Sequence, residues 1–185
     1  MAETIANVTA AKPKVGGAMW VAPMGTKLPT DATSALDSAF KGLGYVSEDG
    51  MVNSNTPKSD NIKSWGGKVV YTYQSDRPDT FQLTFIESLN VDVLKLIYGE
   101  DNVTVDSETG NITVKATASE LGEHEYVCDM IMRNGKLKRI VIPDGKISDL
   151  GDITYKDDEL SGYESTITAL PDSDGVTHYE YISGK

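Results

Sequence analysis

The sequence predicts an all-β domain with one packed helix, β-sandwich or barrel-like, and three observations predict it. First, Lys68–Ser75 and Thr80–Ser88 alternate with a period of two, although Val70 and Ile86 make both faces partly apolar. Val69, Tyr71 and Tyr73 oppose Val70, Thr72 and Gln74, and Phe81, Leu83 and Phe85 oppose Gln82, Thr84 and Ile86. Period-two alternation of β-branched and aromatic residues is the pattern of strands. Second, Glu125–Met132 and Lys136–Ile142 flank Asn134-Gly135, the strongest short hairpin signal. Third, helical periodicity is confined to Val91–Tyr98, where Val91, Leu94 and Tyr98 make one stripe between a capping Asn90 and a stop at Gly99. So short a helix needs a sheet to lie on.

The remaining elements follow in order. Residues 1–15 are small, polar and rich in Thr, Ala and Lys, which reads as a flexible N-terminal arm. Residues 16–185 read as one β domain. Ala18–Ala22 is a first strand, closed by Pro23. Thr33 or Ser34 is placed to cap a helical turn around Leu36–Lys41, stopped by Gly42. Tyr45 and Val46 open a strand, and a polar loop runs over about 48–63. Loops beyond about 12–15 residues are uncommon in compact domains and tend to be functional. Asp76-Arg77-Pro78-Asp79 is read as a hairpin connection. Val103–Val105 and Ile112–Ala116 form a hairpin, and Ile147–Tyr155, Tyr163–Ala169 and Val176–Ile182 complete the strands.

The chain has 185 residues, with 17 Lys plus Arg against 28 Asp plus Glu, for a net charge of −11. Such a field argues against tight nucleic-acid binding, which depends on Lys and Arg displacing counterions. The single cysteine, Cys128, excludes an internal disulfide framework and reads as a small buried hydrophobe. The N-terminus lacks the apolar stretch of a signal peptide. No run approaches the roughly 18 apolar residues of a membrane span, so no membrane anchor is expected.

No constellation carries chemistry, and no catalytic residue, metal ligand or cofactor is expected. His124 and His178 each begin a strand without a metal-type partner, and His124 and Glu125 would point to opposite faces. Asp157-Asp158-Glu159 reads as a solvated tip. Asp172-Ser173-Asp174-Gly175 resembles half a calcium loop, but with Gly175 in sixth place the twelfth is Tyr181, where a bidentate Glu is required. Asn7, Asn102 and Asn111 fit the glycosylation pattern, a match without consequence where no signal peptide is expected. The basic cluster Arg133, Lys136, Lys138 and Arg139 is read either as a solvated tip or as a surface that meets an acidic neighbour.

At the level of whole segments the chain resembles the major tail proteins, the tail tube subunits of long-tailed bacteriophages. The segments that carry the likeness are YTYQSDRPDTFQLTFIESLNVDVLKLIYGEDNVTV, EYVCDMIMRNGKLKRIVIPDGKISDLGDITYKDDELSGYESTITAL and the closing PDSDGVTHYEY. They span about Gly44 to Ile182 and leave the N-terminal arm unmatched. The resemblance implies a β-sandwich subunit that forms six-membered rings stacked into a hollow tube. Genomic DNA would pass through the lumen without specific binding. It also implies tape-measure and tail-terminator or initiator proteins as partners, and a place in the virion tail after synthesis in the bacterial cytoplasm.

Within that reading the long loop supplies contacts between rings or subunits through Asn53, Asn55, Lys58, Asp60 and Lys63. Arg133, Lys136, Lys138 and Arg139 pair across subunits or face outward. Acidic residues are expected to line the lumen, since a basic wall would hold the DNA it must release. The competing reading is a capsid-decoration or host-adhesion β module. A carbohydrate-binding domain would need clustered exposed aromatics, and Trp20 and Trp65 stand far apart in the sequence.

Overall fold

The computed structural model describes residues 5–14 and 18–184. Residues 1–4 of the expected arm and its boundary at 15–16 lie outside them. After a short 3₁₀ turn at Ile5–Asn7 come β1 (Ala11–Pro13), β2 (Met19–Pro23), β3 (Lys41–Gly42), β4 (Val46–Asn55), β5 (Lys58–Lys63), β6 (Val69–Asp76) and β7 (Asp79–Phe85). Helix α1 (Val91–Tyr98) precedes β8 (Val103–Val105), β9 (Ile112–Val114), β10 (Glu123–Met132), β11 (Leu137–Leu150), β12 (Tyr163–Ala169) and β13 (Tyr179–Ile182). The fold is all-β with one helix.

Nine strands form one antiparallel sheet in the order β3-β2-β10-β11-β12-β7-β4, with β1 added to β10 and β13 to β11. The two ends of this order are neighbours in the chain, because only Leu43, Gly44 and Tyr45 separate β3 from β4. Four residue steps reach at most ~14 Å, whereas six interstrand spacings laid flat would span ~29 Å. The sheet must therefore curl toward closure. Its inner face holds one core, to which β2, β7, β10, β11 and β12 contribute Met19, Phe81, Phe85, Tyr126, Ile142 and Ile167 among others.

The helix closes that core as expected. Asn90 Oδ1 accepts from Asp92 N–H at 3.0 Å, and Gly99, with φ 97°, donates to the Lys95 carbonyl at 2.8 Å. Val93, Leu94, Leu96 and Ile97 are its buried residues, and Val91 and Tyr98 of the expected stripe pack half-buried against the same core, so the apolar face is wider than the stripe.

β11 is one strand where two were expected, Lys136–Ile142 and Ile147–Tyr155. Its first half pairs with β13 and its second half with β12, while β10 lies along the other side. The change of partner falls at Pro143-Asp144, where the β10 register slips. Proline cannot donate to a ladder, so a bulge is where a strand tolerates it. Gly145 follows because a Cβ there would sit 2.9 Å from the Tyr126 ring. The Asn134-Gly135 hairpin forms with Gly135 at φ 82°, and among the described residues none other than glycine has a positive φ. Asn134 is therefore right-handed, and the turn is a three-residue loop, not the two-residue primed turn.

Two other expectations are corrected. Residues 36–41 are not helical; Asp31 Oδ1 instead accepts from the N–H groups of Thr33 and Ser34, both at 2.6 Å. Leu36 and Phe40 are drawn onto a second apolar cluster with Trp20, Val127 and Val141, which burial favours over a lone helical turn. Within the segment read as a flexible arm, Ala11–Pro13 is paired in register with Met130–Met132, and Arg133 N–H bonds the Ala10 carbonyl at 2.9 Å. Strand β10 has an open edge there, and any extended segment can satisfy it.

Candidate functional site

The polar loop expected over 48–63 does not exist. It is β4 and β5, two pieces of one strand, and β6 and β7 are likewise collinear. Asp76–Asp79 is no hairpin turn, because its inner residues are Arg77 and Pro78 and neither adopts the positive φ a tight primed turn needs. The reversal lies at Gly66 and Gly67, φ 106° and 88°, where Ser64 N–H bonds the Lys68 carbonyl at 2.7 Å. Register runs on from Met51↔Leu83 and Asn55↔Asp79 into Lys58↔Asp76. The result is one long hairpin whose lower half, β4–β7, belongs to the sheet. Its upper half, β5–β6, pairs only with itself.

Every residue of β5 and β6 is exposed. This explains why the sequence reads as loop: with no buried face, β5 carries no alternation to detect. One face of the ribbon nevertheless gathers Ile62, Val69, Tyr71 and Tyr73. Ile62 stands opposite Tyr71, and the two tyrosine rings stack with centroids 6.3 Å apart. Trp65 is fully exposed at the tip. Two-stranded ribbons are marginal alone in water, and exposed apolar faces of this kind mark contact surfaces. Covering these side chains is worth on the order of 1 kcal/mol each.

The joint between arm and body carries Pro57 on one strand and Pro78 on the other. Directly beneath it lies Asp79, which is 1% exposed. Its Oδ1 accepts from Asn53 Nδ2 at 2.8 Å, and its Oδ2 accepts from Thr177 Oγ1 at 2.6 Å and from His178 Nδ1. Burial alone would raise the Asp79 carboxyl; the bonds from Thr177, His178 and Asn53 outweigh it and hold the group below its ordinary value. His178 thus has a carboxylate partner the sequence reading did not find, with its ring edge-on to Phe81.

The nine expected contact residues separate into three groups. Asn53 and Asn55 sit at the root of the arm, Asn55 accepting from Arg77 Nε. Lys58, Asp60 and Lys63 lie on the arm, with Lys58 3.5 Å from Asp76. Arg133 and Lys136 are at the β10–β11 turn, and Lys138 pairs with Glu180 at 2.8 Å. Arg139 is a correction: it is 1% exposed and locked to Asp129, with Nη1 donating to the carbonyls of Asp31 and Ser34 at 3.0 Å each. It holds its own chain together and is not available to a neighbour. The two-residue turn expected at Asn134-Gly135 would have set Asp129 opposite Ile140, so this pair was not legible in the sequence; the three-residue loop brings Arg139 there instead.

A groove of about 750 Å³ runs along the seam where the curled sheet fails to close, between β1 and the outer edge of β4. Asp157–Glu159 is exposed, and Asp172 Oδ1 serves its own turn by accepting from Asp174 and Val176 N–H, each at 2.9 Å. Cys128 is buried, its thiol pushed up to about 12 by burial. Among the described residues no group of three or more His, Cys, Asp or Glu side chains could hold a metal ion, and no helix is long and apolar enough to cross a membrane.

Among the described residues the fold thus leaves a β arm that pairs only with itself and strand edges without a neighbour. The chain belongs to the phage tail tube protein family, whose profile matches residues 6–185. The match takes in β1 and β2, beyond the segments that carried the resemblance, and makes the protein a structural component of the virion tail. No curated relative matches the chain.

Proposed function

We propose that this chain assembles into six-membered rings that stack as the tail tube, and that the β5–β6 arm makes contacts between subunits or rings. The observation that carries the reading is the arm itself: two strands, wholly exposed, with Ile62, Val69, Tyr71 and Tyr73 on one face. A surface of this kind is a liability on a lone molecule and becomes an asset only when another chain covers it. Asn53, Asn55, Lys58, Asp60 and Lys63 contribute through the root and strands of the arm, and Arg133, Lys136 and Lys138 through the β10–β11 turn.

The net charge of −11 supports a lumen lined by carboxylates, through which DNA slides without adhering. Tape-measure, initiator and terminator proteins are the partners this reading requires, and synthesis is in the host cytoplasm. The test replaces residues 56–78 with a two-residue Asn-Gly turn joining Asn55 to Asp79. The expected product keeps its circular dichroism spectrum and forms neither rings nor tubes in electron micrographs. Normal tubes from that deletion would refute the assignment.

A further inference from the structure

We propose that the two-proline joint is a hinge and that the C-terminal segment is its latch, so that the seating of β13 sets the direction of the arm. The joint is built to be weak. Pro57 and Pro78 lack the N–H that a ladder needs, and Arg77 N–H is turned to Asp76 Oδ1 at 2.8 Å rather than across the ribbon. Side chains tie the strands here: Arg77 Nε donates to Asn55 Oδ1, and the exposed Lys58 ammonium lies 3.5 Å from Asp76 at the upper margin of the joint. Above it the arm pairs with itself alone; below it the hairpin is part of the sheet.

Asp79 is the first residue on the body side, in register with Asn55 and with Ala169 of β12. The three donors it gathers come from two separate segments. Asn53 belongs to the ascending strand of the hairpin. Thr177 and His178 belong to the segment that leads directly into β13, whose residues 179–182 pair with β11. That segment is anchored in turn by Tyr179, whose hydroxyl donates to Asp172 Oδ2 at 2.7 Å. A buried carboxylate stripped of donors is costly, so the root of the arm and the C-terminal segment hold one relative position as long as all three donors stay. The inference rests on the reading of the arm as an assembly contact only for its purpose; the latch itself is a property of the single chain.

The experiment measures the arm directly. Spin labels at Ser64→Cys on the arm and Asp149→Cys on β11 report their separation by pulsed electron paramagnetic resonance in the unassembled protein, where native Cys128 is too buried to be labelled. The labelled protein is expected to give one narrow distance. The same protein carrying Thr177→Val and His178→Phe, which keep bulk and remove both donors, is expected to lose it while unfolding remains cooperative. A narrow, unchanged distance in that variant, or a broad one without it, would overturn the proposal. If the double replacement does not fold, Thr177→Val alone is expected to broaden the distribution, and an unchanged one overturns the latch equally. Broad distances together with unimpaired tube growth would uphold the latch and remove the arm from assembly.

Discussion

Arg139 closes on Asp129 across the β10–β11 hairpin, with Nε on Oδ1 at 2.6 Å and Nη2 on Oδ2 at 2.9 Å, both side chains shielded from solvent. Removing Asp129's charge orphans the buried Arg139, and removing Arg139 leaves Asp129 only the partly exposed Lys14 at 3.7 Å, at a cost of about 3–5 kcal/mol. Arg139→Met and Asp129→Asn are each expected to lose that much in urea denaturation. The double variant Arg139→Met/Asp129→Leu is expected to recover part of it, because neither charge is then orphaned.

On the arm the expectation is the reverse. Ile62→Ser, Tyr71→Ser and Tyr73→Ser change residues outside the core that are covered only in part, by one another, so each shifts stability within about 0.5 kcal/mol. Tube growth followed by light scattering should nevertheless fail when all three are combined. Unimpaired growth would show that this face meets no neighbour.

Salt separates growth from endurance. Charged contacts through Lys58, Lys63, Arg133 and Lys136 steer encounter more than they add affinity. Raising ionic strength is therefore expected to slow elongation while leaving finished tubes intact in sedimentation.

Two carboxylates pull stability in opposite directions with pH. Asp79 is held below its ordinary value, so its contribution is complete above the unfolded pKa and is lost as pH falls through the folded one. Glu125, buried opposite the Pro143-Asp144 bulge with Oε2 unbonded, is raised by burial against the bonds from Gly25 and Thr26, with the nearby Asp144 charge adding to the rise. The folded state then binds the proton more tightly, so this contribution falls as pH rises through the raised value. Glu125→Gln is expected to stabilise the protein at neutral pH and flatten that part of the profile, measured by thermal unfolding across pH. Asp79→Asn should remove the acid limb instead.

Gly145→Ala tests the bend in β11. The new methyl would meet Tyr126 at 2.9 Å and Ile167 at 3.1 Å in a filled core. Overpacking of this order costs about 1–3 kcal/mol. A melting temperature equal to that of the unmodified protein would show that the strand yields freely there.

The sequence by itself determined the elements that bury one face. Phe81, Leu83 and Phe85 alternate because they line the core, Tyr163–Ala169 does the same, and Asn90 and Gly99 bound the helix by local hydrogen bonds and backbone freedom. Half of the arm was hidden: β6 alternates although it is wholly exposed, whereas β5 has neither a buried side nor an apolar alternation to mark it. Even so, Gly66-Gly67, with Pro57 and Pro78 placed almost evenly about it, carried the hairpin signal, and that pattern was readable. Only the tertiary structure decided the rest. The curl of the sheet depends on β3 and β4 meeting at its two ends, the loss of Arg139 from the surface depends on Asp129 and the carbonyls of Asp31 and Ser34, and the Asp79 cluster joins residues 53, 79, 177 and 178. Each is a contact between segments far apart in the chain, and local pattern holds no information about which distant donor a buried carboxylate will find.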